Sequence, residues 1–268
     1  MVWCLVMYLG QAMKDVVQFE RPHMPVVVRL QTKWAEEFGL PSTHTMMGLA
    51  VPCAAFYLTG EKFPLPASLP VLVTSAWVLL VSSSRMYLGM HSLADILAGL
   101  LLSALLMPGV LWLVNVSEEF LVVSPLAPVI SLTASSLALV FFPSSPSHSW
   151  SASATTTVDV VACYQGVQLG QWSLFRLGLV HILHHSSLSH SFSWPDLSTS
   201  LLAISRVVTG AAVAVTVRCL VKPAVSSLSR HATNRRAEQN IIIASKVGVT
   251  GCVGYMYRFE MLLDIRCH

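Results

Sequence analysis

The chain has 268 residues, of which 54% are hydrophobic and only 11% charged, with a formal net charge of +3. Soluble domains carry roughly a quarter charged residues. A mean hydropathy of +0.65, with apolar residues gathered in long blocks, excludes an ordinary soluble domain and implies several transmembrane helices.

The opening, MVWCLVMYLGQAM, has no basic leader and no small-residue cleavage site, so it does not read as a signal peptide. Its thirteen residues are fewer than the roughly 20 that a span needs. It reads as the tail of a helix whose beginning lies outside this chain. KDVVQFERP follows at residues 14–22, with Lys14 and Arg21 seven positions apart. A helix through this stretch would put both cations on one face and end at Pro22. Two such cations beside lipid suit an anion, or equally the lipid head groups.

Spans are expected at 41–59, 66–83, 93–114 and 120–142. The first begins with Pro41-Ser42-Thr43-His44. Ser and Thr are ordinary N-caps, but capping does not explain the histidine. A helix N-terminus also turns N–H groups toward an anion, and a histidine there could supply a proton. Between the second and third spans runs SRMYLGMHSLAD, residues 84–95. Asp95 follows His91 by four, so the two can touch across one helical turn. A carboxylate that accepts from one ring nitrogen fixes the tautomer and frees the other nitrogen to attack. Asp95 stands in an apolar run, where a carboxylate without a partner is expensive.

The crossings tie these clusters together. One span leads away and the next leads back, so Lys14, Arg21, His44, Arg85 and His91 collect on one face. Three cations, two histidines and one carboxylate suit phosphate, which Arg grips as a fork and Lys as a point charge.

Later segments are less regular. Residues 143–156 read as a polar Ser/Pro linker, and 157–175, with Asp159, Gln165, Gln168 and Gln171, is a doubtful span. A Ser/His-rich loop at 181–199, a span at 200–221, a basic loop at 222–240 and a short span at 241–257 complete the chain. The division is therefore a core at 1–142, which carries the polar clusters, and a C-terminal membrane region at 143–268. HILHH at 181–185 matches the histidine box of membrane di-iron hydroxylases, but the remaining histidines form no second box. The six cysteines form no C-x-x-C pair, so no zinc site or disulfide framework is indicated. No basic cluster alternates with aromatics, so nucleic acid is not expected as a partner.

Taken together, the clusters resemble the type 2 phosphatidic acid phosphatase superfamily, whose pattern is K-x6-R-P, then P-S-x-H, then S-R-x5-H-x3-D. Here it reads Lys14…Arg21-Pro22, Pro41-Ser42-Thr43-His44 and Ser84-Arg85…His91…Asp95. Within it the chain is most similar to the sphingosine-1-phosphate phosphatases, through GLPSTHTM, with Thr43 where many lipid phosphatases carry glycine, and through MYLGQAMKDV, RPHMPVVVRL, TTTV at 155–158 and YRFEMLL near the end. The likeness is close over 1–115 and thin from 143 onward.

The resemblance implies an all-α, multi-pass transmembrane helical bundle with two further helices ahead of the Lys14 segment. It implies hydrolysis of sphingosine-1-phosphate to sphingosine and phosphate, without metal or other cofactor, in the endoplasmic reticulum membrane with the site facing the lumen. His91 would attack phosphorus and form a phosphohistidine, with Asp95 orienting it. His44 would protonate the leaving alkoxide and then take a proton from water. Lys14, Arg21, Arg85, Ser42 and Thr43, with nearby backbone N–H groups, would hold the phosphoryl oxygens. The expected partners are the lipid phosphate and the membrane lipids. The alternatives are a non-catalytic membrane pseudo-enzyme and a di-iron lipid hydroxylase built on HILHH.

Overall fold

The computed structural model describes residues 1–22, 30, 37–60, 65–143 and 151–178, with scattered helical positions between 197 and 220. The HILHH stretch, the basic loop at 222–240 and the expected span at 241–257 lie outside the described residues. Every regular element among the described residues is a helix: α1 Val2–Val17, α2 Thr43–Gly60, α3 Ser68–Tyr87, α4 Leu93–Val123, α5 Ala127–Val140 and α6 Ala152–Arg176. Two compact units result. The first holds Met1–Glu118 with Val140–Thr157; the second holds Glu119–Leu139 and the described residues from Val158 onward.

α3 and α4, of 20 and 31 residues, are long and apolar enough to cross a membrane. Only Thr74 and Ser82 of α3 are buried, so its apolar side chains face outward, as lipid requires. Apolar attraction between helices vanishes in hydrocarbon, and close packing takes its place. In the first unit Val6 of α1, Met46, Ala50 and Ala54 of α2, and Met107 and Val110 of α4 pack into one buried cluster. The Ser103 hydroxyl donates to the Met46 carbonyl at 3.0 Å and ties α4 to α2. Gly99, also on α4, permits the closest approach. A Cβ there would stand 2.8 Å from the Ser42 carbonyl oxygen, so the loop that begins α2 can lie on α4 only because residue 99 has no side chain.

The expected span at 120–142 is not one element. α4 runs on to Val123, the chain breaks around Ser124-Pro125, and α5 has only 14 residues. That is about 21 Å of helix, short of a hydrocarbon core of about 30 Å. Pro125 cannot donate to the helical ladder. The break leaves carbonyls at the end of α4 without helical partners, and α6 supplies the donors. Gln168 Nε2 reaches Leu121 O at 2.6 Å, Trp172 Nε1 reaches Ser124 O at 2.9 Å and Arg176 Nη2 reaches Val123 O at 3.1 Å. Gln165 donates to Ser131 O at 2.8 Å and meets the Ser135 hydroxyl. Two of the polar residues that made 157–175 doubtful as a span, Gln165 and Gln168, thus serve α5 and the end of α4 within the second unit. α6 is one continuous helix of 25 residues that starts at Ala152, inside the stretch expected to be linker.

Candidate active site

The first unit brings the three polar clusters together. α1 places Lys14 in its last turn. It does not continue to Pro22, as the spacing suggested. Gln18 adopts a left-handed conformation at φ 52°, its N–H bonds the Lys14 carbonyl at 2.9 Å, and its side-chain amide bonds the Asp15 carbonyl at 3.0 Å. Two C-terminal carbonyls are satisfied this way, which closes the helix. Arg21 therefore meets Lys14 through the chain that follows and not along one helical face.

That chain supplies a residue that no motif marked. Glu37 Oε2 lies 2.8 Å from Lys14 Nζ and 3.7 Å from Arg21 Nη2. Arg21 Nε donates to the Glu37 carbonyl at 2.7 Å, and the Thr156 hydroxyl donates to Glu37 Oε1 at 3.2 Å. Lys14 is 1% exposed and Arg21 5%, and buried cations need a buried counter-charge. That physical demand was the available signal; AEEF, residues 35–38, holds no recognisable pattern.

Arg21 also reaches the other side of the site. Its Nη1 donates to the Met90 carbonyl at 2.8 Å and lies 3.5 Å from His91 Nε2. The turn that presents His91 follows the end of α3. Leu88 N–H bonds Ser84 O and Gly89 N–H bonds Met86 O, and Gly89 takes φ +67°, a conformation that glycine adopts without steric cost.

His91 and Asp95 meet, although not as neighbours within one helix. α4 begins only at Leu93. Ser92 caps it: the Asp95 N–H donates to Ser92 Oγ at 3.2 Å and the Ser92 N–H donates to Asp95 Oδ2 at 2.7 Å. This reciprocal pair is a capping box with Asp in the acidic place, and S-L-A-D was its legible signal. The box holds Asp95, at 0% exposure, with Oδ2 3.7 Å from His91 Nδ1. At that separation the pairing is electrostatic, and neither His91 Nδ1 nor Asp95 Oδ1 has a hydrogen-bond partner among the described residues. Arg21 can only donate, so the His91 Nε2 beside it carries the lone pair and Nδ1 carries the proton toward Asp95. Burial first, then the Arg21 and Lys14 cations, hold the imidazole below its ordinary value of 6.5 against the pull of Asp95. The ring is neutral near pH 7, as a nucleophile must be.

Ser42 is wholly buried just ahead of α2. Its N–H donates to the Asp95 carbonyl and its hydroxyl accepts from Thr45 Oγ1, both at 3.0 Å. Thr43 is buried as the first residue of α2. The His44 side chain opens to solvent, yet partial burial of the ring first, and then the charges of Arg85, Lys14 and His91, push its imidazole down to about 4. Arg85 is half-buried in the last turn of α3, with its Nε 3.4 Å from Ser84 Oγ. The structure thus links Arg21, His91, Asp95 and Ser42 in a chain of contacts and joins Lys14 to Arg21 through Glu37. Among the described residues the Arg85 guanidinium has only the long contact to Ser84 Oγ.

Residues 1–119 match the PAP2 superfamily. The chain is 33% identical to mouse (Mus musculus) sphingosine-1-phosphate phosphatase 1 over 223 residues, 82% of this chain and 51% of that protein. It is 32% identical to human (Homo sapiens) sphingosine-1-phosphate phosphatase 2 over 228 residues, 85% of this chain and 56% of the relative. A Schizosaccharomyces pombe dihydrosphingosine 1-phosphate phosphatase is 26% identical over 195 residues, 69% of this chain and 46% of the relative. The chain spans about half the length of the curated relatives it matches. No solved structure matches it.

Proposed function

Because its residues 1–119 belong to the PAP2 superfamily, we propose that this integral membrane chain is a phosphatase that cleaves sphingosine-1-phosphate and related sphingoid base phosphates through a phosphohistidine. The relatives named for that chemistry support the substrate class. One observation carries the mechanism: a buried guanidinium stands 3.5 Å from the nitrogen of His91 that faces away from Asp95. A nucleophile and a phosphate-binding cation are thereby directed at the same point.

The first step forms a bond from His91 Nε2 to phosphorus and breaks the bond from phosphorus to the lipid oxygen. His44, which takes up a proton as the phosphate dianion binds and offsets the neighbouring cations, gives that proton to the departing alkoxide; such general acid help is worth about 10²–10⁴ in rate. Asp95 stabilises the positive charge that the His91 ring acquires. In the second step water attacks phosphorus, neutral His44 takes a proton from it, and the bond to Nε2 breaks to release phosphate and restore His91. Lys14, Arg21 and Arg85 hold the phosphoryl oxygens. The Ser42 hydroxyl and the first N–H groups of α2, at Thr43 and His44, complete the cradle. Fixed cations carry the role that a metal has in many phosphoryl transfers.

The natural setting for this chemistry is the endoplasmic reticulum membrane, with the site on the lumenal face. Phosphate release from sphingosine-1-phosphate and from phosphatidate by the purified chain, in excess EDTA, tests the proposal. Release from the sphingoid lipid that persists in EDTA is expected. Activity lost to EDTA and restored by added metal would refute the metal-free mechanism.

A further inference from the structure

The phosphate site contains a carboxylate that the hydrolysis does not use. The Glu37 side chain is 6% exposed and pairs with Lys14 and Arg21, the cations assigned to the phosphoryl group. A phosphate arriving there competes with Glu37 for both. It also brings a dianion close to the Glu37 charge, and like charges in a buried site repel strongly. Once phosphate has drawn off Lys14, Glu37 is left as a buried anion short of a cation, which is a costly state. Two other buried carboxylates among the described residues of this unit, Asp95 and Asp15, are already engaged. Asp95 is held by the Ser92 N–H, and Asp15 Oδ2 is engaged by the Ser151 hydroxyl.

A sphingoid base phosphate carries its own remedy, an ammonium on the carbon next to the one that bears the phosphate ester. Resting on the phosphatase reading above, we propose that Glu37 is a specificity-determining residue that accepts this ammonium, exchanging Lys14 for it as the phosphate binds. The same carboxylate penalises lipid phosphates without an amine, because they add an anion beside Glu37 and no cation. Selection thus has an attractive and a repulsive part, as strong discrimination usually requires. Thr156, at the start of α6, holds Glu37 Oε1 and leaves Oε2 as the atom that changes partner.

The test measures kcat/KM of the full chain and of Glu37→Gln on sphingosine-1-phosphate and on phosphatidate. Gln keeps the shape and removes the charge. The expected result is a shift of about 10- to 100-fold in the ratio of the two values, against sphingosine-1-phosphate and mainly through KM, as for loss of a charged hydrogen bond. Equal losses on both lipids would mean that Glu37 only positions Lys14 and would overturn the proposal, as would no change on either. If Glu37→Gln does not fold, the wild-type chain decides by comparison of sphingosine-1-phosphate with its N-acetyl derivative. A preference of about tenfold or more for the free amine is expected, and equal hydrolysis would overturn the role of Glu37 while leaving the phosphatase reading intact. A wild-type chain that hydrolyses none of these lipids would remove the phosphatase reading itself, and this inference with it.

Discussion

Asp95→Asn separates the charge of this residue from its structural work. The carboxylate does two things: it accepts from the Ser92 N–H at 2.7 Å and it faces His91 Nδ1 at 3.7 Å. Asparagine keeps an oxygen for the first and abolishes the second. As Nε2 bonds to phosphorus the ring takes up positive charge. A unit pair about 4 Å apart interacts by about 4 kcal/mol at an effective dielectric of about 20. That is worth about 10³ in rate if the charge develops fully, and about 10²-fold if it develops partly. The weakened cap costs about 1 kcal/mol of stability at most. The assay is steady-state phosphate release beside thermal unfolding in detergent. A fall in kcat of about 10²–10³-fold, with KM little changed and the fold retained, is expected, because Asp95 does not touch the phosphoryl group. A folded Asp95→Asn variant within about threefold of wild type, less than 1 kcal/mol of barrier, would refute the assigned role of the carboxylate.

Neutral His91 is the attacking form, so phosphoenzyme formation should be fast above the His91 pKa and fail as pH falls through it. Burial and the neighbouring cations depress that value, which places the acid limb below 6.5; a limb centred above 6.5 in rapid-quench profiles would contradict the geometry. Gly99→Ala puts a Cβ 2.8 Å from the Ser42 carbonyl, where the backbone must shift, and displacing a positioning element by about 1 Å costs about 10²-fold in rate. Full activity in that variant would show that the Ser42 loop need not lie against α4. Asn115-Val116-Ser117 is a glycosylation sequon, and Asn115 lies 22 residues beyond Leu93, about 33 Å along α4 and so across the membrane from His91. With a lumenal site it stays unmodified, its amide already donating to Tyr57 OH at 2.8 Å; a glycosidase-sensitive mass shift abolished by Asn115→Gln would reverse this orientation.

Much of the site was legible because phosphoryl transfer demands particular residue types at particular spacings. Pro41-Ser42-Thr43-His44 and Arg85…His91…Asp95 could be placed at helix ends without coordinates, since a proline or a glycine turn accompanies each. Other features depend on contacts between distant residues. Glu37 earns its place from a buried lysine 23 residues away, a relation that no local pattern records. The end of α1 at Val17 rests on a left-handed glutamine, an uncommon conformation for a residue with a side chain, and the spacing of Lys14 and Arg21 concealed it. The helix break at Ser124-Pro125 was hidden in a long apolar run, in which hydropathy sees one span and the backbone sees two helices. Gln168 and Gln165 of α6 looked unsuited to a membrane until a carbonyl at that break and one within α5 gave them partners.

The central claim is that His91 becomes covalently phosphorylated. Rapid acid-free quenching of the wild-type chain with ³²P-labelled sphingosine-1-phosphate, followed by peptide mapping, tests it most directly. The account predicts an acid-labile, base-stable label on the peptide that contains His91, absent in His91→Ala. Phosphate release at the wild-type rate by His91→Ala, or turnover in wild type with no label on that peptide, would contradict it.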